Sequence, residues 1–299
     1  MIPFQLALLA WVPISALLMA DRNSARGFSL AYILGQLILP AYYEISLPGV
    51  PDIEKGNVAT IGVLIGTVLF HPRLFDRFKL SEADLLIVCC IEVTFITSYV
   101  NDFGIYDGVG RSAAFFLNFA LPIFLARIHL GTPRSIRTFL LLLIGAAVIY
   151  VPAALYEFRM SPQIHRTIYG YFQHVFQQHF RAGYWRPIVC FSHALELARF
   201  FAFTAFLALF PMRKDLVGYL GKWGNLVFLA PLLGLLLSQS IGPYLVFALL
   251  CGGYLIIKRF AWVVWLFPVV GFFWLFTVMA GFTFGYGVVD EIAEYNPER

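Results

Sequence analysis

Arg181, Arg186, His193, Glu196 and Arg199 fall in one short stretch and are the residues best suited to chemistry. Two guanidiniums five residues apart, directly before Pro187, suit a phosphate or diphosphate. Each offers a planar fork of N–H donors that matches phosphate oxygens in pairs. Proline is at home in the first turn of a helix, so Arg186-Pro187 reads as a helix start, where open backbone N–H groups add to anion binding. On a helix running on from Ile188, His193 lies about 9 Å below that start at 1.5 Å per residue. Glu196 and Arg199 follow at steps of three, on a broad shared face and within reach of each other. A histidine lining a cavity below two arginines suits a general base, or a group that orients an acceptor hydroxyl. The plainer alternatives are a histidine bonded between helices and arginines that snorkel to lipid headgroups.

Competing motifs are weaker. Asp102-Phe103-Gly104 and the Asp102/Asp107 pair lack a nucleotide loop and a third metal ligand, and read as solvated turn residues. HExxH is absent, and the histidines at 165, 174 and 179 lack a fourth ligand, so no metal and no cofactor is expected. Cys89, Cys90, Cys190 and Cys251 sit in apolar runs without CxxC spacing and read as small packing residues. The net charge of +4 comes from scattered basic residues and not from one patch, so no nucleic-acid partner is expected.

The elements that must position these groups are apolar. Of 299 residues, 60% are hydrophobic and only 13% charged, against roughly a quarter charged in soluble domains. Mean hydropathy is +0.79. Runs of about twenty apolar residues recur, each long enough for a hydrocarbon core of about 30 Å. The expected fold is therefore all-α, a polytopic transmembrane bundle forming one domain over residues 1–299. A β-barrel is excluded, because barrels read as short alternating segments. About ten spans can be drawn, at 2–20, 28–47, 57–71, 83–100, 112–129, 138–156, 188–210, 224–239, 241–257 and 260–281. The first reads as a spanning helix and not as a cleaved leader.

Alternate connectors collect the basic residues: Arg22 and Arg26; Arg73, Arg77 and Lys79; Arg127, Arg134 and Arg137; Arg213, Lys214 and Lys222; Lys258 and Arg259. The opposite short connectors hold only Lys55 and Arg111. Positive residues stay on the cytoplasmic side, which puts the long loop at about 156–187 on the outer side. Within it, Ile164, Ile168, Phe172, Val175/Phe176 and Phe180 recur at steps of three and four, predicting an amphipathic helix over about 163–180. With Tyr169, Tyr171, Tyr184 and Trp185 in the headgroup belt, that helix is expected to lie flat on membrane lipids. Gln36, Glu44 and Glu92 are further polar groups at membrane depth, and Glu92 is a candidate partner of Arg199. Ser238-Gln239-Ser240 with Gly242-Pro243 makes a tight outer hairpin.

The order Arg181…Arg186-Pro187…His193 after a long outer loop, the upstream segment Tyr150–His165, and the hairpin Ser238–Leu245 resemble the O-antigen ligase/polymerase family of bacterial membrane glycosyltransferases. The resemblance covers about 140–290. It implies transfer of a glycan from a polyprenyl-diphosphate carrier to a lipid A core sugar or a growing polysaccharide, on the periplasmic side of the inner membrane. It implies no metal. Arg181 and Arg186 would neutralise the departing diphosphate, with Arg186, His193 and Glu196 as catalytic candidates and Glu157, Arg159, His165 and Arg199 in support. Family members usually carry a second long outer loop after a span like 260–281. This sequence stops there, so a chain lacking the C-terminal part of that fold is expected. Two other classes stay open. One is a transporter or flippase of envelope precursors working through Glu92, Glu196 and Arg199, and the other is a non-catalytic subunit of a polysaccharide export assembly.

Overall fold

Apolar runs fold as helices up to the point where proline, glycine or a capping side chain stops them. The computed structural model describes residues 2–265 apart from Pro48, Gly49, Leu80 and Ala182. The described chain is mostly helical. Its helices are α1 (Phe4–Leu18), α2 (Ser24–Ile38), α3 (Lys55–Phe70), α4 (Glu82–Val100), α5 (Gly104–Phe115), α6 (Leu121–His129), α7 (Pro133–Met160), α8 (Ile164–Tyr169), α9 (Ala194–Leu209), α10 (Arg213–Leu220), α11 (Leu229–Leu237) and α12 (Ile241–Arg259). A π-helical turn at Phe116–Ala120 joins α5 to α6. Pro122 lies just beyond it; its missing N–H cannot serve an i→i−4 bond, and the ladder widens there.

Three continuous helical stretches are long and apolar enough to cross a membrane: Gly104–His129, Pro133–Met160 and Ile241–Arg259. A fourth is formed if Ala194–Leu209 and Arg213–Leu226, bent by 73°, count as one broken span. Several expected spans therefore take another form. The segment expected to span 28–47 leaves the helix at Ile38, because Leu39 precedes Pro40 and turns extended (ψ 152°). The chain then enters a two-stranded antiparallel sheet, β1 (Glu44–Leu47) with β2 (Val50–Glu54). Glu54 closes this hairpin by capping α3 in a reciprocal box with Asn57. The span expected at 188–210 starts only at Ala194. Most of the span expected at 260–281 lies outside the described residues.

The chain divides into two compact units, residues 1–247 and 248–299. In the second, the described part is the remainder of α12 and a 3-10 turn at Ala261–Trp265. Within the first, α1 and α3 meet through Gly62 and Gly66. A Cβ at Gly62 would lie 1.8 Å from Ser15 Oγ, and one at Gly66 would lie 2.6 Å from the carbonyl of Ala16, so only glycine lets these backbones approach. A second core joins α7, α9 and α11 around Phe201, which is fully buried and packs with the buried Ala147, Val151 and Leu235. Gly234 makes room for it, since a Cβ there would sit 2.7 Å from the Phe201 ring.

The long loop does not form one amphipathic helix. α8 ends after six residues at Gly170, whose left-handed conformation (φ 89°) stops it. A short 3-10 turn at Phe176–His179 follows. Then comes a minimal hairpin, β3 (Phe180–Arg181) with β4 (Tyr184–Trp185), turned at Gly183 (φ 81°). The tyrosines expected in the headgroup belt are tied to protein. Tyr169 and Tyr171 donate to the carbonyls of Ile38 (2.7 Å), the last residue of α2, and Ala41 (2.5 Å), just beyond it. Those carbonyls are left open where the helix stops, and the loop satisfies them.

A candidate anion-binding site

Glu157, in the last turn of α7, holds the two ends of the loop together. Its carboxylate is fully buried. One oxygen accepts the amide of Ile164 at 3.0 Å, and the other accepts the amides of Ile188 (2.9 Å) and Val189 (2.7 Å). Val189 sits at φ 51°, a conformation that a β-branched residue rarely adopts. Two side chains hold it there: Glu157 from its amide, and Gln173, whose Nε2 donates to its carbonyl at 2.7 Å. The next amide, Cys190, donates to the hydroxyl of Tyr150 at 3.1 Å. Lys55, at the start of α3, donates to the Cys190 carbonyl at 2.6 Å. Residues 188–193 are thus an irregular strap whose backbone is satisfied by side chains from α3, α7 and the loop, and not a helix following Pro187.

The strap delivers Arg186 to a cavity of about 440 Å³ lined by His174, Gln178, His179, Arg181, Arg186, His193, Leu195, Gln239, Ser240, Ile241 and Gly242. Arg181 and Arg186 line the same cavity, although the first is exposed on its hairpin and the second is only 4% exposed. Arg186 donates from Nε to the carbonyl of Ser238 at 3.1 Å, and its NH2 group bonds the hydroxyl of Ser240. Burial, and secondarily the Arg181 charge, lowers its proton affinity. A guanidinium remains charged nonetheless. No carboxylate is among the lining residues.

The histidines enter around this pair. His174 meets His179 and His193 edge to face, with ring centroids 5.1 and 4.5 Å apart. His179 is almost fully buried, and its pKa falls to about 4, first through burial and then through His174 and Arg186. Neither of its ring nitrogens has a partner, and the same holds for His174 Nδ1 and Gln239 Oε1. Among the described residues, no group of three His, Cys, Asp or Glu is placed to hold a metal ion.

His193 is the N-cap of α9 and does not lie one to two turns down a helix. Its Nδ1 accepts the amide of Leu195 at 3.0 Å. That bond assigns the neutral ring to the Nε2–H tautomer, so His193 meets a ligand as a donor and not as a base. Burial and His174 lower its pKa, which favours that neutral form at pH 7.

The other expected residues divide. Glu196 accepts the amide of Ser192 at 3.2 Å, and its predicted ion pair with Arg199 is absent. One turn of helix separates them, but Glu196 folds back onto the helix start and Arg199 faces outward, exposed. Glu92 is exposed on α4 and does not pair with Arg199. His165 is a strut: Nε2 accepts the amide of Ala41 (3.3 Å), and Nδ1–H donates to the carbonyl of Tyr171 (3.2 Å). Arg159 is exposed and does not line the cavity. The residues missed as site candidates are His174, Gln178, His179, Gln239 and Ser240. Their only local signals are the five-residue spacing of His174 and His179 before Arg186, and a polar triplet before Gly242-Pro243.

No family model, curated protein or solved structure matches this chain.

Proposed function

We propose that the protein is a membrane glycosyltransferase of the O-antigen ligase type. It would take a glycan from a polyprenyl-diphosphate carrier and pass it to a lipid A core sugar or a growing polysaccharide, at the periplasmic side of a bacterial inner membrane. The observation that carries this reading is the convergence of Arg181 and Arg186 on one cavity free of carboxylates, with polar atoms of His174, His179 and Gln239 still unpartnered. Buried polar atoms without partners are rare, and these belong to residues that line the cavity.

In the transfer, the acceptor hydroxyl oxygen forms a bond to the anomeric carbon while the bond from that carbon to the carrier diphosphate breaks. The bonding pair leaves with the diphosphate, whose growing charge falls to Arg181, Arg186 and the Nε2–H of His193. The acceptor's proton goes to a group with an open lone pair. His174, which lines the cavity and is less buried than His179, is the candidate.

The test scores carrier binding and transfer separately, using purified protein with undecaprenyl-diphosphate-linked glycan. Arg181→Ala is expected to weaken carrier binding by about tenfold, the worth of one charge-assisted contact. Carrier binding that is absent in the wild type, or unchanged by Arg181→Ala, overturns the reading.

A further inference from the structure

A second cavity, of about 650 Å³, lies where the start of α2 meets the turn between α6 and α7. Arg22, Arg127 and Arg134 line it. Arg127 is committed, since it pairs with Asp84 and donates from NH2 to the carbonyl of Lys79 at 2.6 Å. Arg22 and Arg134 have no ion-pair partner among the described residues. The nearby carboxylate of Asp21 faces Arg26 at 3.7 Å and accepts the amide of Asn23 at 2.9 Å. Two uncommitted guanidiniums therefore share a cavity whose own lining contains no carboxylate.

Helix α2 starts at the same cavity without a side-chain cap, because Asn23 makes no capping bond. Its first-turn N–H groups, on the lining residues Ser24 and Ala25, stay open there, at the positive end of the helix dipole. His129 adds a polar atom without a partner, and it is an acceptor: with Nε2–H donating to Thr67, its bare Nδ1 suits the P–OH of a singly protonated phosphate and not one of its bare oxygens. His129 lines the cavity, is 4% exposed, and its Nδ1 has no hydrogen-bond partner. Its other nitrogen is engaged with the hydroxyl of Thr67 at 2.9 Å, and that hydroxyl spends its proton on the carbonyl of Val63.

We infer that this cavity is a phosphate-binding site, distinct from the one at Arg181 and Arg186. Arg22 and Arg134 grip the phosphate oxygens, and the uncapped start of α2 completes the cradle. The two cavities lie at opposite ends of α7, whose 28 residues span about 42 Å at 1.5 Å each. That is close to the full thickness of a bilayer with its headgroups, about 40–45 Å. A phosphate at this depth can belong to a lipid headgroup of the opposite leaflet or to a phosphate dissolved beside it, and both present the same oxygens. The inference does not depend on what the Arg181/Arg186 cavity does.

The experiment uses the full chain purified in a neutral detergent, with inorganic phosphate as one probe. The other probe is phosphatidylcholine nanodiscs with and without phosphatidic acid, with bound lipid counted by native mass spectrometry. The variant is Arg22→Ala with Arg134→Ala; both side chains are exposed and unpaired, so folding is retained. Thermal unfolding of the unliganded variant within about 2 °C of wild type checks this, as expected for surface changes. Stabilisation by phosphate that drops about tenfold in apparent affinity in the double variant supports a site for soluble phosphate. Retention of phosphatidic acid by wild type but not by the variant, with no response to inorganic phosphate, supports a headgroup site. The Arg22/Arg134 effect should persist in an Arg181→Ala background, which removes any phosphate response from the first cavity. The inference is overturned if wild type responds to neither probe, or if the double variant binds both as wild type does.

Discussion

Arg186 and Ser238 are 52 residues apart in sequence, yet the guanidinium Nε donates to the serine carbonyl at 3.1 Å. The same guanidinium holds Ser240, so one buried side chain fixes the hairpin between α11 and α12 and also turns a charged face to the cavity. Arg186→Ala therefore removes two things at once. It should lower stability by about 2 kcal/mol, because Ser238 and Ser240 lose their buried donor, and it should abolish carrier binding. Exposed Arg181 carries no such structural load, so Arg181→Ala should weaken binding while leaving thermal unfolding unchanged. Unfolding in detergent beside carrier titration reads the difference. Equal loss of stability in both variants would refute the division of labour.

Glu157 should behave as a staple. Glu157→Gln keeps the volume but replaces one carboxylate oxygen by an NH2 group, which then faces a backbone donor at Ile164 or at Ile188 and Val189. The expected cost is about 1–2 kcal/mol, and about 3 kcal/mol for Glu157→Ala, where all three amides lose their acceptor. Released at both ends, residues 161–193 should become sensitive to limited proteolysis. A wild-type cleavage pattern in Glu157→Ala would show that the loop is held by its aromatic contacts alone.

Legibility in the sequence stopped where contacts became non-local. The apolar runs marked where helices lie, and the Arg, His and Pro spacing picked out the part of the chain that borders the cavity. Helix starts were harder. Pro187 has the chemistry of a helix opener, but the helix waits for His193 because Ile188 and Val189 give their amides to Glu157, over thirty residues away. No local pattern announces such a bond. The apolar steps of three and four from Ile164 to Phe180 predicted one helix, although Gly170 stood inside them; that glycine, free to take φ 89°, was the available stop signal. The aromatic density of the loop suggested lipid contact, whereas the hydroxyls of Tyr169 and Tyr171 bond carbonyls at and just past the end of α2. Exposed and bonded tyrosines look alike in a sequence.

Stability should fall as the pH drops from about 6.5 to about 4. His165 and His179 each have a folded pKa of about 4, lowered first by burial, against about 6.5 in the unfolded chain. The unfolded state therefore binds more protons in that window. Stability is full above about pH 6.5 and declines by up to ~1.4 kcal/mol per pH unit for each histidine until the folded pKa is reached. For His165 the reason is visible: a protonated ring puts a second N–H against the amide of Ala41, which now donates to it. Unfolding midpoints in detergent between pH 7 and 4.5 should slope downward, and His179→Phe should shallow the slope. A flat wild-type profile would contradict both assignments.

His193 and His174 should separate binding from proton transfer. With Nδ1 held by the amide of Leu195, His193 offers only a donor to the cavity. His193→Asn keeps a good N-cap and leaves its own NH2 short of the Nε2 position, so the Michaelis constant for the carrier should rise several-fold with little change in kcat. His174 lines the cavity, is less buried than His179 and has no capping role. His174→Ala should lower kcat by about a hundredfold, the lower end of what a positioned base contributes, with carrier affinity nearly unchanged. The reverse pattern, with kcat lost in His193→Asn and kept in His174→Ala, would return the proton-accepting role to His193 and require that its bond to Leu195 break in the substrate complex.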